Sequence, residues 1–229
     1  MLIGKIVGST SHVNYDGQVF TAAQEIEVAP RPADFALGRF VRIMIRALSV
    51  TAPSGTHEEM TSDENTSYAI GVIYNTVLLN PAATAGGPYL SSAEQVEIFS
   101  PDARAFRITP VSVLLLGMMK TRRMATGRLH AFSQSHGVPP FSLEIGSAIE
   151  TMPEEEVQAF HLFADKGRKA APYLHLGYLP HMQTQPHSLL PMIILQIIEQ
   201  LERLFPAHLT LLAIIKRNFS WKLKIESVG

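Results

Sequence analysis

Histidine is the residue type in this sequence best suited to chemistry near neutral pH, and there are nine of them. His175, His181 and His187 recur at intervals of six, and His130 and His136 repeat that interval. Imidazoles brought together could hold zinc and activate water, so a small metal-dependent hydrolase would be sought in segment 175–187. The spacing opposes this. Six residues of extended chain span about 20 Å, so two rings share an ion only where Pro180 or Pro186 folds the chain back. The chain has no Cys and no well-placed carboxylate to complete a shell, so neither a metal nor a cofactor is expected. His161 and Asp165, one helical turn apart, fit a surface pair.

Other chemistries lack their motifs. A P-loop needs Gly directly before Lys-Ser/Thr. Leu116-Gly117-Met118-Met119-Lys120-Thr121 does not supply it, and Ala85-Gly86-Gly87-Pro88 is followed by no Lys. No Gly-x-Ser-x-Gly elbow is present for acyl transfer. Glu58, Glu59, Asp63 and Glu64 fall in a polar stretch and read as solvated, and Glu154 to Glu156 read as the start of a helix. Gly4, Gly8 and Gly71 fit strand bends or close backbone approaches. The chain is therefore expected not to be an enzyme.

Charge is distributed unevenly. Between Asp102 and Glu144 there is no acidic residue, while Arg104, Arg107, Lys120, Arg122, Arg123 and Arg128 are all basic. Lys120, Arg122, Arg123 and Arg128 crowd a segment that follows an apolar strand and reads as a hairpin tip, where they could meet phosphates or an acidic partner. Lys216, Arg217, Lys222 and Lys224 form a second group around Phe219 and Trp221.

The elements that must carry these residues follow from composition and period. Of 229 residues, 46% are apolar and only 17% charged, below the usual level of about 25%, which leaves much uncharged surface and ample core. The absence of Cys fits a cytosolic protein. The N-terminus has neither a charged leader nor a cleavage site, and no apolar run reaches the roughly 18–20 residues of a membrane span. To about residue 135 the pattern is short strands: Leu2 to Val7, Val13 to Phe20 with a hairpin at Asp16-Gly17, Gln24 to Val28, Arg39 to Arg46, Tyr68 to Leu79, Gln95 to Phe99 and Phe106 to Met118. In Arg39 to Arg46 the period of two gives Arg42 and Arg46 a wet face. Thr51 to Thr66 and Asn80 to Ser92 read as loops. Six or seven short strands predict a small barrel. After about residue 140 the period becomes helical. Thr151 caps a helix running to about Ala164, Ser188 to Leu204 carries a broad apolar stripe, and Ala207 to Trp221 forms a third helix with Leu209, Leu212, Ile215 and Phe219 on one face.

The run Ile3-Gly4-Lys5-Ile6-Val7-Gly8-Ser9-Thr10-Ser11, an acid-containing hairpin, the Gly38-Arg39-Phe40-Val41 strand, Gly71 to Leu79 (GVIYNTVLL) and the Gly137-Val138-Pro139-Pro140 link resemble the N-terminal β-barrel module of HerA-type ATPases. The resemblance implies a barrel that sits on a hexameric DNA-translocating motor, helping it assemble or engage an end-processing nuclease. Because no Walker A pattern is present, no catalytic residue carries over. The chain then resembles a stand-alone barrel, or a barrel subunit paired with a separate ATPase.

The expectation is an α+β chain, a small N-terminal β-barrel of about six strands over residues 1–138 followed by an α-rich region over 139–229. The expected role is a non-enzymatic binding or assembly subunit, working by self-association or with a protein partner such as a separate ATPase or nuclease, in the cytoplasm and away from membranes. Two alternatives stand beside it. One is a direct nucleic-acid-binding barrel using Lys120, Arg122, Arg123 and Arg128, and the other is the small metal-dependent hydrolase.

Overall fold

A computed structural model of the chain describes residues 1–21, 28–45, 65–78, 109–123, 129–164 and 172–226. Its strands are β1 (Leu2–Ser9), β2 (Asn14–Val19), β3 (Phe40–Ile45), β4 (Asn65–Thr76), β5 (Pro110–Arg123), β6 (Leu129–His136) and β7 (Ala148–Thr151). Six of them close an antiparallel ring in the order β2-β1-β7-β3-β4-β5, and β2 pairs back onto β5. The class is α+β, with a closed six-stranded barrel and a helical C-terminal region, as the pattern of short strands followed by helices predicts.

Strand β5 belongs to two neighbours along one edge. Its first half, to Leu114, pairs with β2, and from Gly117 onward it pairs with β6, while β4 lines the other edge almost throughout. Gly117 makes the exchange possible, because a Cβ there would collide with the Ser135 carbonyl. β6 is thus a flange on the barrel wall. The ring is completed by β7, which joins β1 to β3 from beyond residue 138.

Alternation sorts the apolar side chains into two cores. Ile3, Ile6, Val41, Ile43, Ala69, Ile73, Val111, Val113, Leu115 and Ile149 point into the barrel together with Tyr15 and Val19, and all are buried. The lumen of so small a barrel is filled by side chains. The opposite face of the same strands, including Phe40, Ile70, Val72, Leu114, Leu116 and Met119, is covered by helices α1 (Glu154–His161), α2 (Leu179–Gln183), α3 (Leu190–Leu204) and α4 (Leu209–Glu226). Between α1 and α2 a two-stranded ladder pairs β8 (Leu162–Phe163) with β9 (Tyr173–Leu174).

Several expectations need correction. Asp16-Gly17 is not a turn; β2 runs through both, and the chain reverses instead around Thr10–Val13, where Thr10 N–H donates to Asn14 O at 3.0 Å. The glycine is wanted inside the barrel, where a Cβ would strike the Ile149 side chain. Thr151 does not cap α1. It ends β7, its N–H donating to Met1 O at 2.8 Å, while Pro153 takes the cap position. That helix stops at His161 because Leu162 and Phe163 enter the ladder. On the face of β3 that carries Arg42, Met44 is 44% exposed but Arg42 itself is largely covered. Its guanidinium donates to Glu150 Oε2 (2.8 Å) and to both Glu156 oxygens (2.5 and 2.6 Å), and stacks 4.8 Å above Tyr68, tying β3, β7 and α1 together. The third helix begins at Leu209, not Ala207, after the 3-10 turn Pro206–His208. The expected strand Gln95–Phe99, most of Gln24–Val28, and the loops Thr51–Thr66 and Asn80–Ser92 fall wholly or largely outside the described residues.

Candidate interaction surfaces and histidine cluster

The basic segment is strand more than tip. β5 extends to Arg123, so Lys120, Arg122 and Arg123 all stand on it, and Arg128 lies outside the described residues. Met119 and Thr121 are buried against the helical side, which turns Lys120 and Arg122 to the opposite face, where both are exposed. Their cross-strand neighbours are Ser67 and Asn65 on β4 and Ser133 and His130 on β6, so no acidic residue stands directly across from either. The register therefore places two cations two residues apart on one face of a three-stranded ribbon, a spacing of about 7 Å. That matches the distance between successive phosphates of a nucleic acid strand to within one or two ångströms, and it suits an acidic protein surface equally. The acidic group Glu58, Glu59, Asp63 and Glu64, with Arg104 and Arg107, lies outside the described residues.

The histidines form a different pattern from the one their spacing suggests. His175, His181 and His187 do not converge. His181 stands on α2, and His187 meets the edge of the Tyr74 ring at 4.8 Å. His175 instead stacks on His136 with centroids 4.8 Å apart, and His136 lies 5.8 Å from His161. Phe160, Phe163 and Tyr178 surround the three rings.

The hydrogen bonds of this cluster define its chemistry. His136 Nε2 lies 3.0 Å from Phe160 O, which can only accept, so Nε2 carries the proton. Its Nδ1 accepts from Gly177 N–H at 3.1 Å. His161 uses the other tautomer, Nδ1–H donating to Val157 O (2.7 Å) and Nε2 accepting from the Tyr178 hydroxyl (2.8 Å). These assignments follow from the partners, since hydrogens are placed by the network. Both rings are held neutral. Burial, reinforced by the neighbouring His161 ring, lowers His136 to about 3, and burial lowers His161 to about 4 against the pull of the Val157 carbonyl. Burial likewise raises the Tyr178 hydroxyl. With both nitrogens of His136 and of His161 engaged, neither ring offers a lone pair to a metal, and among the described residues no three His, Asp or Glu side chains are grouped to hold one. The cluster is a neutral polar seam that locks α1, β6 and the 173–178 segment together.

The remaining surface feature is α4. Leu212 is buried against α3 and the core, with Ile215 and Phe219 partly so, but Leu209, Leu211 and Ile214 are 48, 44 and 55% exposed. A helix with one docked face needs only one apolar stripe, and α4 also exposes Leu211 and Ile214, which neighbour each other at i and i+3. The predicted face at Leu212, Ile215 and Phe219 is the docked one; Leu209 falls outside it. No helix among the described residues is long and apolar enough to cross a membrane.

A family model described as a domain of unknown function (DUF8166) matches residues 1–228. No curated protein matches the chain.

Proposed function

Since the chain belongs to the DUF8166 family, whose description carries no chemistry, we propose its role from the geometry: a non-enzymatic assembly subunit that docks through α4 onto a protein partner in the cytoplasm. The observation that carries this reading is the exposed apolar pair Leu211 and Ile214 on α4, because exposed apolar side chains on one helix face are the ordinary anchor of a helix-mediated contact. The filled barrel lumen and the saturated His136 and His161 rings support it, since each uses side chains for packing that a catalytic site would leave free. The resemblance to HerA-type barrels supplies the class of partner, a DNA-translocating ATPase or its nuclease.

The test is co-expression of the full chain with a HerA-type ATPase from the same genome, read by co-purification and by light scattering. The reading expects a stable complex, or a defined homo-oligomer, that Leu211→Glu with Ile214→Glu dissolves while far-ultraviolet circular dichroism stays unchanged. Nucleotide hydrolysis by the purified chain would overturn it, as would a chain that remains monomeric and partnerless at about 50 μM, well above the Kd of most specific assemblies.

A second reading, direct nucleic-acid binding, is favoured by Lys120 and Arg122 sharing one face of β5. It expects an affinity that falls steeply with salt, and a smaller salt slope when both are changed to Gln.

A further inference from the structure

One cleft gathers charged and polar side chains of which, among the described residues, most have no side-chain partner. Its volume is about 570 Å³, and it lies between the 3-10 turn Pro32–Phe35 with the residues leading into β3, the first residue of α1, and α3. Sequence pattern builds its wall. Gln196, Glu199, Gln200 and Arg203 stand at i, i+3, i+4 and i+7 on α3, opposite the apolar stripe of Ile194, Ile197, Ile198 and Leu201 that fills the core. Across from them Gly38 takes a left-handed conformation (φ 77°), and a Cβ on it would come within 3.2 Å of Gln196 Oε1. The glycine lets the loop lie against α3. Arg39 N–H then donates to Ala36 O (3.1 Å) and its carbonyl accepts from Ile73 N–H (3.0 Å), so the stem of Arg39 is fixed.

The side chain of Arg39 is the unusual feature. Its Nε is buried and has no hydrogen-bond partner. Among the described residues, Arg203, Glu154, Gln196 and Gln200, which line the same cleft, make no side-chain hydrogen bond or ion pair either, whereas Glu199 is held by Lys216 at 3.1 Å. A buried guanidinium N–H is seldom left without an acceptor, and its planar fork suits a carboxylate or phosphate better than any neutral group. The volume falls within the range of about 300–1,000 Å³ common to ligand sites.

We propose that this cleft binds a ligand through a carboxylate or phosphate group, held by the guanidiniums of Arg39 and Arg203 with the Gln196 and Gln200 amides beside it. The site is independent of the docking face on α4 and is tested on the isolated full chain. Thermal unfolding is followed at constant ionic strength, set with chloride, during titration with inorganic phosphate, with citrate, and with a capped peptide rich in Asp and Glu. The proposal expects at least one probe to raise Tm saturably, and either Arg39→Gln or Arg203→Gln to weaken that binding about tenfold or more. Phosphate or citrate as the active probe identifies a free small anion, and the peptide alone identifies an acidic segment of a partner. Arg203 is exposed and Arg39→Gln removes an unpartnered donor, so both variants are expected to fold. No saturable effect from any probe overturns the proposal, and so does an effect that both variants keep in full.

Discussion

Acidification from pH 7.5 to 5.5 will destabilise this protein through its buried histidines, His136 and His161 foremost. Each ring is neutral in the fold, with a pKa near 3 for His136 and near 4 for His161, and each returns to about 6.5 when unfolded. The folded pKa lies below the unfolded one, so the unfolded chain binds more protons throughout the interval between them. Stability is therefore fully present above pH 6.5 and is lost as pH falls toward 4 and then 3. At pH 5.5 the folded rings are still unprotonated while the unfolded ones are about nine-tenths protonated, which corresponds to a loss of about 2–3 kcal/mol for the pair. The local geometry agrees with the sign. A proton on His136 Nδ1 would face the Gly177 N–H, and one on His161 Nε2 would turn the Tyr178 hydroxyl away from its acceptor. Urea unfolding at pH 7.5, 6.5 and 5.5 reads the effect: with a slope of about 2–3 kcal/mol/M, the midpoint should fall by about 1 M across the range. His136→Gln should roughly halve that fall. A midpoint that stays flat from pH 7.5 to 5.5, or a His136→Gln variant with the parent's full dependence, would refute the reasoning.

Three further outcomes are expected. Arg42→Ala leaves the Glu150 and Glu156 carboxylates facing each other without their cation and should cost about 3 kcal/mol in urea unfolding, whereas the same variant combined with Glu156→Gln should recover part of that loss. Ile73→Ala opens a cavity in the filled barrel lumen and should cost about 2–5 kcal/mol by the same measure. Gly117→Ala drives a methyl into the Ser135 carbonyl, so amide exchange along β6 should accelerate more than exchange in β1, because the flange parts before the ring does.

The parts of this fold that were legible in the sequence are those where one period runs for many residues. The alternation through Phe40 to Ile45, the apolar length of β5, and the 190/193/194/197/198/201 stripe of α3 each specify an element, and the stripe of α3 also specifies the face it buries. Short or tertiary features were not legible. Ala148–Thr151 is only four residues long, and nothing in Ala-Ile-Glu-Thr marks it as a barrel strand until β1 and β3 present open edges to it. Asp-Gly is a strong turn signal, and it misled at 16–17 because the glycine serves packing against Ile149. The equal spacing of His175, His181 and His187 drew attention to the wrong set, since the rings that meet, His136, His161 and His175, come from three separate segments. One local signal did point to them: aromatics accompany these histidines at Phe160, Phe163, Tyr173 and Tyr178, a composition typical of a packed ring cluster.

The closure of the ring by β7 also sets the order in which the chain can fold. Register pairs Leu2 with Glu150 and Val41 with Thr151, so β1 must wait for β7 to be made. On the ribosome, every strand from β1 to β6 has left the exit tunnel before the last one arrives, and until then β1 and β3 each carry an unpaired edge. Contacts of such long sequence separation form slowly. Synthesis of this protein therefore includes an interval in which a nearly complete but open barrel exposes two adhesive edges, and four residues end it.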